Sequence, residues 1–150
     1  MVKSLAMVAA ICIAAVCAFG EGAESITGRW NSEDGRAKID IYRCGFHYCG
    51  KIVWLGMPEY PPDDEEGMGG RPRVDRENPD PALRNRPLLG LQIMEGFRYA
   101  GDGLWEKGRI YDPESGATYK SEIRLVSPRR LELRGYIGIP LFGRSTVWTK

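Results

Sequence analysis

A chain of 150 residues with 21 lysines and arginines against 20 aspartates and glutamates is long enough for one domain with a real core and too short for two. Its even charge balance lacks the surplus of base that a phosphate backbone demands, which excludes nucleic acid as a partner and disfavours a strongly anionic membrane surface.

The chain opens with Lys3 and then an apolar run from Leu5 to Phe19, interrupted only by small residues and by Cys12 and Cys17. Charge followed by a short hydrophobic stretch is the order of a secretory signal. Ala18-Phe19-Gly20 offers the small residues a signal peptidase reads, so cleavage is expected after Gly20, with Ala18 and Ala23 as alternatives. A retained anchor needs roughly 20 consecutive apolar residues, more than the run supplies. A lipid anchor needs a small residue before the cysteine, where Val16 and Ile11 stand. The expectation is a leader over 1–20 and a mature domain over 21–150, periplasmic or secreted, with no stable membrane insertion once the leader is gone. Cleavage removes one base and no acid, leaving twenty of each.

Beyond residue 25 apolar residues alternate with polar ones, and Gly, Pro, Asn or Asp clusters recur at short intervals. Strands are expected near 26–31, 36–43, 48–55, 88–99, 103–111, 117–126, 130–137 and 144–149, an all-β meander closing into a single antiparallel β-barrel of about eight strands. The pattern is clearest in Lys38-Ile39-Asp40-Ile41-Tyr42 and in Arg130-Leu131-Glu132-Leu133-Arg134, each with one dry and one wet face. Cys44 and Cys49 are the only cysteines of the mature chain, and in an oxidising compartment the pair reads as a disulfide across a hairpin turning at Gly45-Phe46-His47-Tyr48. Closing so short a loop is worth about 2 kcal/mol. His47 between them invites a metal reading, but a fourth ligand is lacking and oxidised cysteines do not bind, so no metal is expected.

Residues 56–87 break the rhythm. The stretch is rich in Pro, Gly and charge and too long for a hairpin, as functional loops often are. Asp63-Asp64-Glu65-Glu66 is followed by Arg71, Arg73, Arg76, Arg84 and Arg86. Consecutive carboxylates without spaced oxygen ligands read as a solvated charge run rather than a calcium loop. Asp80-Pro81-Ala82-Leu83-Arg84 predicts one helical turn, capped by Asp80 with Pro81 at its first position. The loop is placed at one mouth of the barrel.

Gly28-Arg29-Trp30, Cys44-Gly45, Cys49-Gly50-Lys51-Ile52-Val53-Trp54-Leu55 and Asn78-Pro79-Asp80-Pro81 occur in this order. Gly108-Arg109-Ile110-Tyr111-Asp112-Pro113 with Gly116 and Tyr119 follows, and then Arg134-Gly135-Tyr136-Ile137-Gly138 with Leu141, Gly143, Arg144 and Trp148. Together these motifs resemble the small secreted bacterial proteins of domain of unknown function 2147, over essentially the whole mature chain. The resemblance implies a lipocalin-like or calycin-like barrel and an exported location, and it carries no catalytic residues with it. Gly28-x-Trp30 is also similar to the lipocalin signature, which implies Trp30 as a barrel-closing residue beneath Arg134 or Arg144 through a cation–π contact.

Candidate wall residues of a ligand cavity are Trp54, Phe97, Trp105, Tyr111, Tyr119 and Tyr136, which lie on different strands and would supply aromatic surface with hydroxyl handles if they face inward. Catalysis finds little support. Carboxylates such as Asp75 with Glu77 or Asp80, and the serines Ser115, Ser121 and Ser145, lack a Gly-x-Ser-x-Gly elbow, and the sole histidine sits in a turn. No enzyme and no cofactor is therefore expected. The reading is a barrel that binds a small apolar or amphiphilic ligand. The alternative is an envelope interaction module with a solid core, whose protein partner the sequence does not name.

Overall fold

Alternating side chains bury one face of every strand, and the computed structural model, which describes residues 22–150, satisfies all of them by closing the sheet on itself. The leader expected over 1–20 lies outside the described residues. The strands are β1 (Gly28–Asn31), β2 (Ala37–Cys44), β3 (His47–Leu55), β4 (Gln92–Gly101), β5 (Leu104–Asp112), β6 (Ala117–Ser127), β7 (Arg130–Tyr136) and β8 (Arg144–Thr149). Each pairs antiparallel with the next, and β8 returns to β1 to complete an eight-stranded closed barrel. The seam is thin: Asn31 pairs with Thr149, and the Asn31 side chain donates to the Thr149 carbonyl at 3.0 Å.

The expected strands are present with their ends shifted by a few residues. The largest differences are at β4, which begins at Gln92 after a longer loop, and at β1, which begins at Gly28 because Ala23–Ile26 winds into a 3-10 turn. That turn plugs one end of the barrel. Ile26 is wholly buried, and two buried indoles donate to the turn's carbonyls, Trp30 to Ile26 at 2.8 Å and Trp105 to Ala23 at 3.2 Å. Tyr99 lies 4.9 Å from Trp105 between ring centroids, and Tyr48 meets the same indole edge-on at 6.5 Å. The β2–β3 hairpin differs from expectation. Cys44 pairs with His47 and only Gly45 and Phe46 form the turn, Gly45 at φ +67° occupying the first position of a two-residue loop. The Cys44–Cys49 disulfide, with 5.9 Å between Cα atoms, runs diagonally, because Cys49 stands opposite Tyr42.

Bulges reset the alternation at several points. In β3 the register slips between Lys38–Trp54 and Ile39–Ile52, so Val53 is the extra residue and Leu55, not Trp54, shares the inner face with Ile52. In β4 and β5 the inward residues Met94 and Phe97, and Trp105 and Gly108, are three apart. Gly96 and Lys107, at φ +75° and +61°, absorb the extra residues side by side. Gly108 is required here: a Cβ on it would collide with the Phe97 ring.

Between β3 and β4 the chain runs through a long loop that returns on itself by isolated bridges, Glu59 to Pro72 and Val74 to Pro87. Asp80 caps the Pro81–Leu83 turn by accepting from the Ala82 amide, as its sequence predicts. The acidic run is not simply solvated. Asp64 accepts from Arg76 at 2.9 Å, tying the acidic half of the loop to the basic half, and the Arg76 guanidinium covers the buried Tyr60 ring at 4.4 Å.

Candidate functional site: the open mouth of the barrel

The end opposite the plug is hollow. A cavity of about 640 Å³ opens there, walled by Ile39, Ile52, Leu55, Leu88, Ile93, Ile110, Tyr111 and Trp148. Its rim comes from the β1–β2 turn (Asp34, Gly35, Arg36), the long loop (Met57, Arg73) and the β5–β6 turn (Pro113, Glu114). The walls are largely aliphatic because β2, β3 and β5 turn branched side chains inward, and the Val53 bulge swings Leu55 in to join them. Each apolar wall residue also packs against the buried core below.

Charge at the rim is mostly paired. Arg36 bridges Asp34 and Glu114. The Ser32 hydroxyl, the Arg36 amide and the Arg36 guanidinium together hold the Asp34 carboxyl down at about 2. Arg73 reaches over the Tyr60 ring and donates to the Glu59 carbonyl.

Tyr111 separates the cavity from a smaller hollow of about 250 Å³ beneath the long loop. Its hydroxyl donates to Asp75 Oδ1 at 2.5 Å. Asp75 is wholly buried, and its second oxygen accepts from Arg86 Nη2 at 2.7 Å and Asn78 Nδ2 at 2.8 Å. Arg86 Nε is buried with no partner among the described residues. Burial first, and the adjoining Asp75 carboxylate second, push the Tyr111 phenol up to about 12. This clasp fastens the loop to the rim through β5. Sequence reasoning weighed Asp75 only as one of a catalytic pair, and it missed the clasp because partners 11 and 36 residues away leave no local pattern.

The six candidate wall residues do not form one surface. Tyr111 alone lines the cavity. Phe97 and Trp105 are wholly buried in the filled half below it. Tyr119 is half-buried in the mouth half beside Gly135, and Tyr136 stands opposite Lys120 on the outer face. Trp54 is turned outward by the bulge, 42% exposed with Lys38 Nζ 5.0 Å over its ring. The aliphatic residues that do line the cavity escaped notice because alternation marks them as core and nothing local separates a core residue from a wall.

Trp30, expected to close the barrel beneath Arg134 or Arg144, is wholly buried, and the cation over its ring is Lys150. That Nζ sits 4.5 Å over the indole and donates to the Thr27 carbonyl at 2.9 Å, and burial lowers its pKa. Arg134 and Arg144 lie toward the other end, beside the β7–β8 connection, where Arg134 donates to Pro140, Leu141 and Ser145. His47 accepts from Arg98 Nε at 3.1 Å, and among the described residues no three His, Cys, Asp or Glu side chains converge as metal ligands. No described helix is long and apolar enough to cross a membrane.

A family model described as an uncharacterized protein conserved in bacteria, DUF2147, matches residues 28–150. No curated protein sequence matches the chain. Among solved structures, protein HP1028 from the human pathogen Helicobacter pylori, which belongs to the lipocalin family, superposes with a TM-score of 0.69 over 83% of this chain and 81% of that one, at 19% identity. A likeness at that identity carries the fold and nothing finer.

Proposed function

The chain belongs to the DUF2147 family of bacterial proteins, and for its lipocalin-like barrel we propose a carrier function in which one small apolar or amphiphilic molecule occupies the open cavity. The observation that supports this is an aliphatic hollow of about 640 Å³ with a charged rim. Cavities that hold one small molecule run from about 300 to 1,000 Å³ and pair apolar walls with a few polar groups, and an eight-stranded barrel is just wide enough for such a guest. An acyl chain of about ten carbons would gain roughly 8 kcal/mol from leaving water. The cost of association offsets much of that gain, so micromolar binding is expected.

In this reading Ile39, Ile52, Leu55, Ile93 and Ile110 hold the apolar body and Arg73 and Arg36 face a polar head, while Phe97 and Trp105 underlie the guest as floor. The apparatus is one of binding and not of catalysis. The apolar leader sequence and the Cys44–Cys49 disulfide support a periplasmic or secreted carrier, since disulfides persist in oxidising compartments. Protein purified from its own envelope and analysed by native mass spectrometry, then by organic extraction, is expected to release a single class of apolar molecule at up to one per chain. Repeated recovery of an empty barrel that also fails to bind a neutral naphthylamine probe would defeat the proposal.

A further inference from the structure

Residues 137–143, which join β7 to β8 at the mouth end, carry the most concentrated exposed apolar surface in the described chain. Ile137 is 77% exposed, Ile139 53%, Leu141 75% and Phe142 77%. The segment is tied down. Arg134 donates from Nε to the Pro140 carbonyl at 2.6 Å and from Nη2 to the Leu141 carbonyl at 3.3 Å, and the Gly143 amide closes on Pro140 at 3.0 Å. Four large apolar side chains are thereby held in water by a braced backbone, an arrangement that marks an interaction site. Met57 and Leu89, also exposed, lie in the loop between β3 and β4 that contributes to the same end.

Charge around the segment supplies the identity of the partner. Lys120 pairs in register with Tyr136 and Arg144 with Gly135, on the last rungs before the apolar residues, and among the described residues neither base is ion-paired. Glu122 stands one rung farther from the segment, opposite Arg134, and Glu33 accepts from Thr146. Apolar side chains at the tip with bases just behind them match the layering of a lipid leaflet, acyl chains beneath phosphates. The even net charge of the chain means that charge alone does not hold it at a membrane, and here the apolar side chains carry the contact.

We propose that this segment seats the mouth end of the barrel on a lipid bilayer, with Ile139, Leu141 and Phe142 among the acyl chains and Lys120 and Arg144 at the phosphates. The docking is independent of whether the cavity carries a guest, although it would open the cavity toward the leaflet.

The test is a positional one in the full chain. Phe142→Trp and Phe46→Trp place a reporter at opposite ends, Phe46 being exposed in the β2–β3 turn beside the plug. Each is mixed with vesicles of phosphatidylethanolamine and phosphatidylglycerol, with or without brominated acyl chains, and its emission is read against the unsubstituted chain. The Phe142→Trp signal is expected to shift blue and lose most of its intensity to the brominated lipid, whereas Phe46→Trp stays unquenched. Adding Leu141→Asp and Ile139→Asp should abolish the quenching with an unchanged circular dichroism spectrum. Lys120→Gln with Arg144→Gln should weaken binding several-fold per charge on these vesicles and leave binding to phosphatidylcholine vesicles unchanged. An unquenched Phe142→Trp would overturn the proposal, and so would quenching of Phe46→Trp to the same depth, which would assign the contact to the other end of the chain. A concentration-dependent dimer in sedimentation velocity that Phe142→Asp dissolves would identify a second copy as the occupant and overturn it equally.

Discussion

Substituting Asp75 by Ala should release the long loop from the barrel rather than unfold the barrel. The carboxylate is wholly buried and takes hydrogen bonds from Tyr111, Arg86 and Asn78. Removing one partner of a buried ion pair costs about 3 to 5 kcal/mol. The lower end applies here, because the Arg86 side chain is 41% exposed and water can take over part of its solvation. A loss of about 3 kcal/mol corresponds to roughly a hundredfold increase in local opening. Hydrogen exchange should register it at the amide of residue 75, which donates to the Arg86 carbonyl, and at that of Leu88, which donates to Arg73. Amides of β7 and β8, away from the loop and from β5 in the strand order, should keep their protection. Tyr111→Phe removes one donor and should accelerate the same amides by about tenfold. Loop amides as protected in Asp75→Ala as in the unsubstituted chain, or a loss spread evenly over all eight strands, would refute the reasoning.

Ala37 borders the cavity, so Ala37→Trp should fill it, cutting binding of a neutral naphthylamine probe at least tenfold in a fluorescence titration while the thermal midpoint holds or rises. Gly108→Ala should cost about 2 to 3 kcal/mol by forcing a methyl into the Phe97 ring, seen as a fall of several degrees in thermal unfolding. Gly50→Ala should cost less, because its clash is with the flexible thioether of Met94. The phenols of Tyr48 and Tyr111 are both raised to about 12, chiefly by burial and then by Glu24 and Asp75 respectively. Unfolded tyrosines lose their protons near pH 10, so the folded state binds the extra protons above that point. The phenols' contribution to stability should be constant below pH 10 and fall between pH 10 and 12 by about 2 kcal/mol per phenol, with Tyr111→Phe removing roughly half the slope in urea titrations across that range.

Much of this architecture was legible in the sequence, since alternation fixes which side chains must hide and turn residues fix where the chain reverses. Ile39, Ile41, Ile123, Leu125, Leu131 and Leu133 all face inward as their spacing requires. Legibility failed wherever one extra residue shifts the parity. Trp54 counts as an inward residue until the Val53 bulge reverses it, and that bulge shows itself only through the pairing with Lys38 and Ile39. The site suffered a second loss. Aromatic residues attract attention as ligand walls, yet Trp30, Phe97 and Trp105 are spent on filling the plugged half, whereas the hollow is walled mainly by aliphatics. Lys150 over Trp30 went unread because 120 residues separate them, and only closure of the β1–β8 seam brings them together.

The two halves of the barrel explain each other. An unfilled hollow forfeits the dispersion contacts its walls would otherwise make, and a small domain has little stability to lose. Here the plugged half concentrates Trp30, Phe97, Trp105, Tyr48 and Ile26 in one buried block, each large ring worth on the order of 2 to 3 kcal/mol of burial, and both indole N–H groups are satisfied by the same 3-10 turn. Stability so concentrated leaves the mouth half free to keep its aliphatic walls apart and to fasten a long loop through a polar clasp. Filling the mouth should therefore stabilise the chain, and opening the plug should not be tolerated: Trp105→Ala, losing about 3 to 5 kcal/mol, is expected to unfold the barrel at temperatures where Ala37→Trp remains folded.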